Sequence, residues 1–118
     1  MQEEKRQQMI SLSKAKTVEN PDGISRTTLA YNRETMLCHF KMKKGAQIPL
    51  HNHAAVQIGY VVSGKVQFFK AEGEGFVAEA QMSYVFESSE THGAQVLADS
   101  EVIECFAPMR PEYAPDSE

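Results

Sequence analysis

The residues most able to do chemistry lie in one stretch, Gly45-Ala-Gln-Ile-Pro-Leu-His51-Asn-His53-Ala-Ala-Val-Gln57-Ile-Gly-Tyr-Val-Val-Ser-Gly64. His51 and His53 are two apart, so on an extended strand both imidazoles project from one face with Cα atoms about 6.6 Å apart. Two rings at that spacing can converge on one ion at roughly 2.0–2.1 Å from each nitrogen. Gln57 has the same parity but falls about 13 Å beyond His53 on a straight strand. Its amide oxygen joins the pair only if the chain turns sharply at Ala54-Ala55. His92 is a fourth candidate, opening a later strand after the polar turn Glu87-Ser88-Ser89-Glu90-Thr91. The remaining histidine, His39, stands on the polar side of its strand beside Lys41 and is expected to take no part in metal binding. Three neutral imidazoles and a neutral amide leave the charge of a divalent ion uncompensated. That suits a Lewis acid for a substrate oxygen and needs no redox change. An N₃O donor set does not choose the ion: zinc, nickel, manganese, iron and cobalt all fit.

A second candidate lies near the C-terminus. In Glu101–Ala107, Val102, Glu104 and Phe106 share one face and Ile103 and Cys105 the other. A carboxylate between two large apolar residues is poorly placed for a surface. If that face points inward, Glu104 sits in a low-dielectric site beside a cation, with a pKa open to tuning for proton transfer. If it points outward, Glu104 is a structural edge residue. The direction of this side chain therefore separates a catalytic reading from a binding one.

These residues must be positioned by strands. Ile24–Tyr31 is rich in β-formers, and Glu34–Lys43 alternates, with Met36, Cys38, Phe40 and Met42 on one face. Gln57–Val62 and Lys65–Lys70 flank Ser63-Gly64, which reads as a hairpin connection. Phe76–Ala80, Ser83–Phe86, His92–Leu97 and Glu101–Ala107 follow, and no long segment has a 3.6-residue period. Short strands at this spacing predict an all-β sandwich or barrel. The expected organisation is one domain over residues 18–110. It is preceded by a polar tail or short helix at 1–17 and followed by an irregular tail at 111–118.

Composition narrows the partners. The chain of 118 residues supports one core, and its net charge of −4 argues against nucleic acid or an anionic membrane as partner. Lys41, Lys43 and Lys44 read as solvated strand-edge charges. The first residues contain neither a signal peptide nor a membrane span, so a cytoplasmic location is expected. Cys38 and Cys105, the two cysteines, form no disulfide framework and behave as small hydrophobes in apolar strand patterns.

The spacing Gly45, His51-x-His53, Gln57, Gly64 resembles the first conserved motif of the cupins, with glutamine in place of the usual glutamate. Gln81-Met-Ser-Tyr-Val-Phe-Glu-Ser-Ser-Glu-Thr-His92-Gly93 resembles the second motif, although Gln81, Met82 and Glu87 replace its glycine, aspartate and proline. The resemblance spans roughly residues 24 to 110. It implies a single-domain, jelly-roll-like β-barrel holding one divalent metal through His51, His53, Gln57 and His92, and by analogy a homodimer.

A narrower likeness follows. Phe106-Ala-Pro-Met-Arg110-Pro-Glu-Tyr113, together with Tyr60-Val-Val-Ser-Gly64, is similar to the KdgF family, small cupins of pectin and alginate breakdown. That resemblance implies ring opening of 4,5-unsaturated uronates to a linear keto form. Glu104 and Arg110 would be the catalytic residues. Phe106, implicated by the same likeness, would line the substrate pocket with Phe40 and Met42. Glu104 is longer than the family's aspartate, and Ala54, Ala55 and Val56 replace a more polar stretch between His53 and Gln57. Two alternatives accompany this expectation: an iron- or manganese-dependent dioxygenase, and a non-catalytic module binding metal and a small ligand.

Overall fold

The computed structural model describes residues 6–115, so the parts of the two expected tails at 1–5 and 116–118 lie outside it. Eight strands follow in chain order: β1 Thr17–Glu19, β2 Ile24–Tyr31, β3 Met36–Met42, β4 Gln47–His51, β5 Val56–Lys70, β6 Phe76–Glu79, β7 Ser83–Phe86 and β8 His92–Ala107. Every pairing between them is antiparallel. The expected all-β, jelly-roll-like architecture is the one observed.

The long strands β5 and β8 organise the molecule. The second half of β8 pairs with β3 on one side and the first half of β5 on the other. The first half of β8 pairs with β4 and with the second half of β5. Two sheets therefore share both strands, β1-β2-β3-β8-β5-β7 and β4-β8-β5-β6. Their inward side chains form one core. It includes the predicted row Met36, Cys38, Phe40 and Met42, together with Val61, Val66, Phe86, Val96, Val102 and Phe106.

Two connections differ from the sequence expectation. Ser63-Gly64 is not a hairpin: β5 runs straight through it, with register shifts against β8 between Val61 and Val66. Nor are His92–Leu97 and Glu101–Ala107 separate strands, since β8 is continuous. The shift in β5 reverses which side chains face inward. Gln57, Gly59 and Val61 are buried before it, and Val66 and Phe68 after it. Such an extra residue bends a strand without ending its pairing.

Beyond β8, Pro111–Tyr113 forms a 3₁₀ turn and Ala114 is fully buried. Thr28 Oγ1 donates to the Tyr113 carbonyl at 2.6 Å. The Tyr113 ring lies between the guanidinium groups of Arg26 and Arg110, at 4.0 and 4.1 Å. Residues 111–115, expected to be irregular, are thus packed against the barrel. Cys38 and Cys105 are both free thiols. Among the described residues, no helix is long and apolar enough to cross a membrane.

Candidate metal centre

His51 ends β4 and lies directly across from His92, the first residue of β8. Gly93, beside it, lets β4 approach closely, because a Cβ there would stand 2.7 Å from the Ile48 carbonyl oxygen. His53 is not on a strand. It sits in the bend at residues 52–55, after which β5 brings Gln57 back toward the histidines. The turn required at Ala54-Ala55 is therefore present, and it moves His53 out of the strand geometry that the His-x-His spacing implies. The turn before β8 holds both ends: Ser89 N donates to the His53 carbonyl at 2.8 Å, and Lys70 pairs with Glu90 at 2.9 Å.

The three imidazoles meet, with ring centroids 4.6 Å apart for His51–His92, 5.3 Å for His53–His92 and 5.5 Å for His51–His53. One ligand atom from each lies within 4.8 Å of the others. Each Nδ1 faces a backbone carbonyl: His51 that of Pro49 at 3.0 Å, His53 that of Ala55 at 2.8 Å, and His92 that of Glu90 at 2.8 Å. A carbonyl only accepts, so each ring carries its proton on Nδ1 and turns an Nε2 lone pair inward. Burial holds His53 and His92 below the ordinary histidine pKa. The Arg110 charge adds to this for His53 and the neighbouring histidines for His92, so both rings favour the neutral form.

Gln57 completes the set. Its Nε2 donates to Glu104 Oε2 at 2.6 Å, which turns its Oε1 toward His53 Nε2 at 3.0 Å and His92 Nε2 at 3.2 Å. Amide oxygen and imidazole lone pairs thus face one another with no proton to share. That arrangement fits a cation, and the donors are three nitrogens and one oxygen, as a divalent transition ion accepts.

Glu104 points inward and is buried. Tyr84 Oη also donates to its Oε2, at 2.5 Å. Burial pushes the carboxyl above its ordinary range, against the opposing hydrogen bonds of Tyr84 and Gln57 and the charge of Arg110. Tyr84 is the residue that sequence reasoning missed. The only signal was its alternation with Phe86, which marked it as a core aromatic.

His51, Gln57, His92, Glu104, Arg110 and Met42 line one small cavity of about 50 Å³. Arg110 donates through Nε and Nη2 to Glu112 Oε2 at 3.2 and 3.0 Å, and its guanidinium lies 5.3 Å from the Phe106 ring centre. Phe106 is buried with its ring edge-on to His53 at 5.9 Å. Phe40 is buried across from Val102, one inward step along β8 from Glu104, and does not line the cavity. His39 is also apart from the cluster, buried and paired with Glu101 Oε2 at 2.6 Å.

No curated protein matches the sequence. Among solved structures, the chain is similar to an RmlC-like cupin from Shewanella frigidimarina, with TM-score 0.84 and 24% identity, covering 93% of this chain and 97% of that one. It is also similar to KdgF from Halomonas sp., with TM-score 0.80 and 30% identity over 88% of this chain and 97% of that one. The polyketide cyclase RemF from Streptomyces resistomycificus shares the fold, with TM-score 0.73 and 15% identity over 89% and 82% of the two chains. The family model of the cupin domain matches residues 38–106, which contain all four converging side chains, and the chain belongs to the cupin family.

Proposed function

We propose that the protein is a metal-dependent enzyme that opens the ring of small 4,5-unsaturated uronates to their linear keto form. One divalent ion would be held by His51, His53, Gln57 and His92. The observation that carries this reading is the inward Glu104 carboxylate, sharing one cavity with His51, Gln57, His92 and Arg110. The 30% identity with KdgF supports the same activity. The bound ion supplies a Lewis acid for a sugar oxygen.

The chain's own residues account for positioning and proton movement. Glu112 takes the Nε–Nη2 edge of Arg110, and the Nη1–Nη2 edge grips the substrate carboxylate by a two-pronged hydrogen bond. Glu104 takes the proton from the hydroxyl on the anomeric carbon as the bond from that carbon to the ring oxygen breaks. This leaves an aldehyde and an enolate. Returning the proton to C4 converts the enolate to the ketone and regenerates the carboxylate. Both donors to Glu104 converge on Oε2, so Oε1 is the oxygen used. Met42, Ile48 and Phe68 give the pocket its apolar walls, whereas Phe106, expected to line it, packs behind against Arg110 and His53.

The test is direct. Protein whose metal content has been verified by elemental analysis is incubated with 4,5-unsaturated galacturonate while the conjugated alkene absorbance is followed. The absorbance should decay, and a fully metallated sample that leaves it unchanged removes this reading.

A homodimer accompanies the proposal. On the outer face of the β3-β8-β5-β7 sheet, Leu37, Cys105, Ile58 and Val85 are cross-strand neighbours, and Ile103 and Tyr60 form the next row. Ile58, Tyr60 and Val85 are each about half exposed, and a contiguous apolar patch of this kind suits an interface between copies.

A further inference from the structure

The hydroxyl of Tyr84 lies outside the set of groups that would touch ion or substrate, yet it is buried at the centre of a row crossing three strands. Tyr84 on β7 pairs with Gly59 on β5, and Gly59 pairs with Glu104 on β8. Gly59 is what lets the phenol cross the row. A Cβ at that position would stand 2.3 Å from Tyr84 Cζ and 2.4 Å from its oxygen. The space is filled by the one aromatic ring of β7 that ends in a donor. Phe86, the next inward residue of that strand, instead stacks on His92 with centroids 4.1 Å apart.

From Tyr84 a single chain of hydrogen bonds reaches the histidines. Tyr84 Oη donates to Glu104 Oε2, which also accepts from Gln57 Nε2, and Gln57 Oε1 faces His53 and His92. An amide has two ends of nearly equal size and opposite hydrogen-bonding character. Only one of them can serve a cation, so something must decide which end turns inward. A carboxylate can accept from the nitrogen end alone, and it does so only while held in this rotamer. We propose that Tyr84 is a positioning residue: acting through Glu104, it fixes the Gln57 amide with its oxygen presented to the three imidazoles. Burial and the neighbouring Glu104 charge keep the phenol protonated, and therefore a donor, well beyond its ordinary range.

This inference rests on the metal-centre reading and not on the uronate, so its test uses Co²⁺ alone. Affinity is measured by chelator competition, and the visible bands of the bound ion report its ligand geometry. Tyr84→Phe, which removes one oxygen and keeps the ring, should bind Co²⁺ roughly tenfold more weakly, as is usual when a partner of a ligand is lost. Its visible spectrum should change too, while the far-ultraviolet circular dichroism of the metal-free protein stays that of the wild type. Gly59→Ala should give a similar loss with the hydroxyl still present, because it displaces the ring. In a Glu104→Met background, adding Tyr84→Phe should change nothing further, since the path runs through Glu104. Wild-type affinity and spectrum in Tyr84→Phe overturn the proposal. So does a tenfold loss that persists undiminished in the Glu104→Met background. If the wild type binds no Co²⁺, the metal-centre reading falls with it; if only the uronate is inert, this inference stands.

Discussion

Glu104 holds the tension of the site in a single side chain. It is buried, hydrogen-bonded by two donors on one oxygen, and kept above its ordinary pKa of 4.5, burial being the larger cause. A raised value means that the folded chain holds the proton more tightly than the unfolded chain. Its contribution is therefore full below about pH 4.5 and is lost as pH rises through the folded value. Glu104→Gln removes that loss. Metal-free Glu104→Gln should melt above the wild type at neutral pH and converge with it near pH 4.5. A difference independent of pH would show that the buried charge is not its source. The same substitution should lower ring-opening turnover by about 10²-fold or more, the usual contribution of a positioned acid or base. The ion should be retained, because a glutamine oxygen still accepts from Tyr84 and Gln57. Arg110→Ala should raise KM by at least tenfold through loss of a charge-assisted carboxylate contact. Wild-type kinetics in both variants would remove their assigned roles.

At the scale of the element, the decisive device is the irregularity in β5. Gly64 has φ +101°, and a Cβ there would lie 2.1 Å from Ser100 Oγ and 2.5 Å from the Asp99 carbonyl oxygen and Ser100 Cα. Ser100 Oγ accepts from Lys65 N at 2.9 Å and donates to the Ala98 carbonyl at 2.7 Å, tying the bent part of β5 to β8. In sequence, an alternation that resets at Ser-Gly looks like a hairpin. It is a bulge here because β8 lies alongside and continues to pair. Gly64→Ala should cost about 1–3 kcal/mol from backbone conformation alone, and more from contact with β8, measured as a lowered urea midpoint. An unchanged midpoint would mean that β5 relaxes without strain at this bend.

For the whole molecule, closure of the two sheets over one core brings the distant His92 beside His51, His53 and Gln57 and leaves an apolar outer face. Replacing Ile58 and Tyr60 together with lysine places charge in the middle of that face. If it pairs copies of the chain, the variant should sediment as a monomer where the wild type sediments as a dimer. A wild type that is monomeric at the same concentration would defeat the homodimer. Neither side chain faces the core, so the melting temperature of the isolated subunit should change little.

The sequence alone determined which residues share a face. Alternation in β3 and in Glu101–Ala107 set out two rows of side chains, and the spacing of His51, His53, Gln57 and His92 with its cupin likeness marked the residues that converge. Alternation does not say which face is inside, nor whether a break is a turn or a bulge, because both depend on which strand lies alongside. Only the tertiary structure turned Glu104 inward, moved His53 off its strand, and set Tyr84 through Gly59 against the carboxylate that orients Gln57. Those are contacts between strands far apart in the chain, and local pattern carries no record of them.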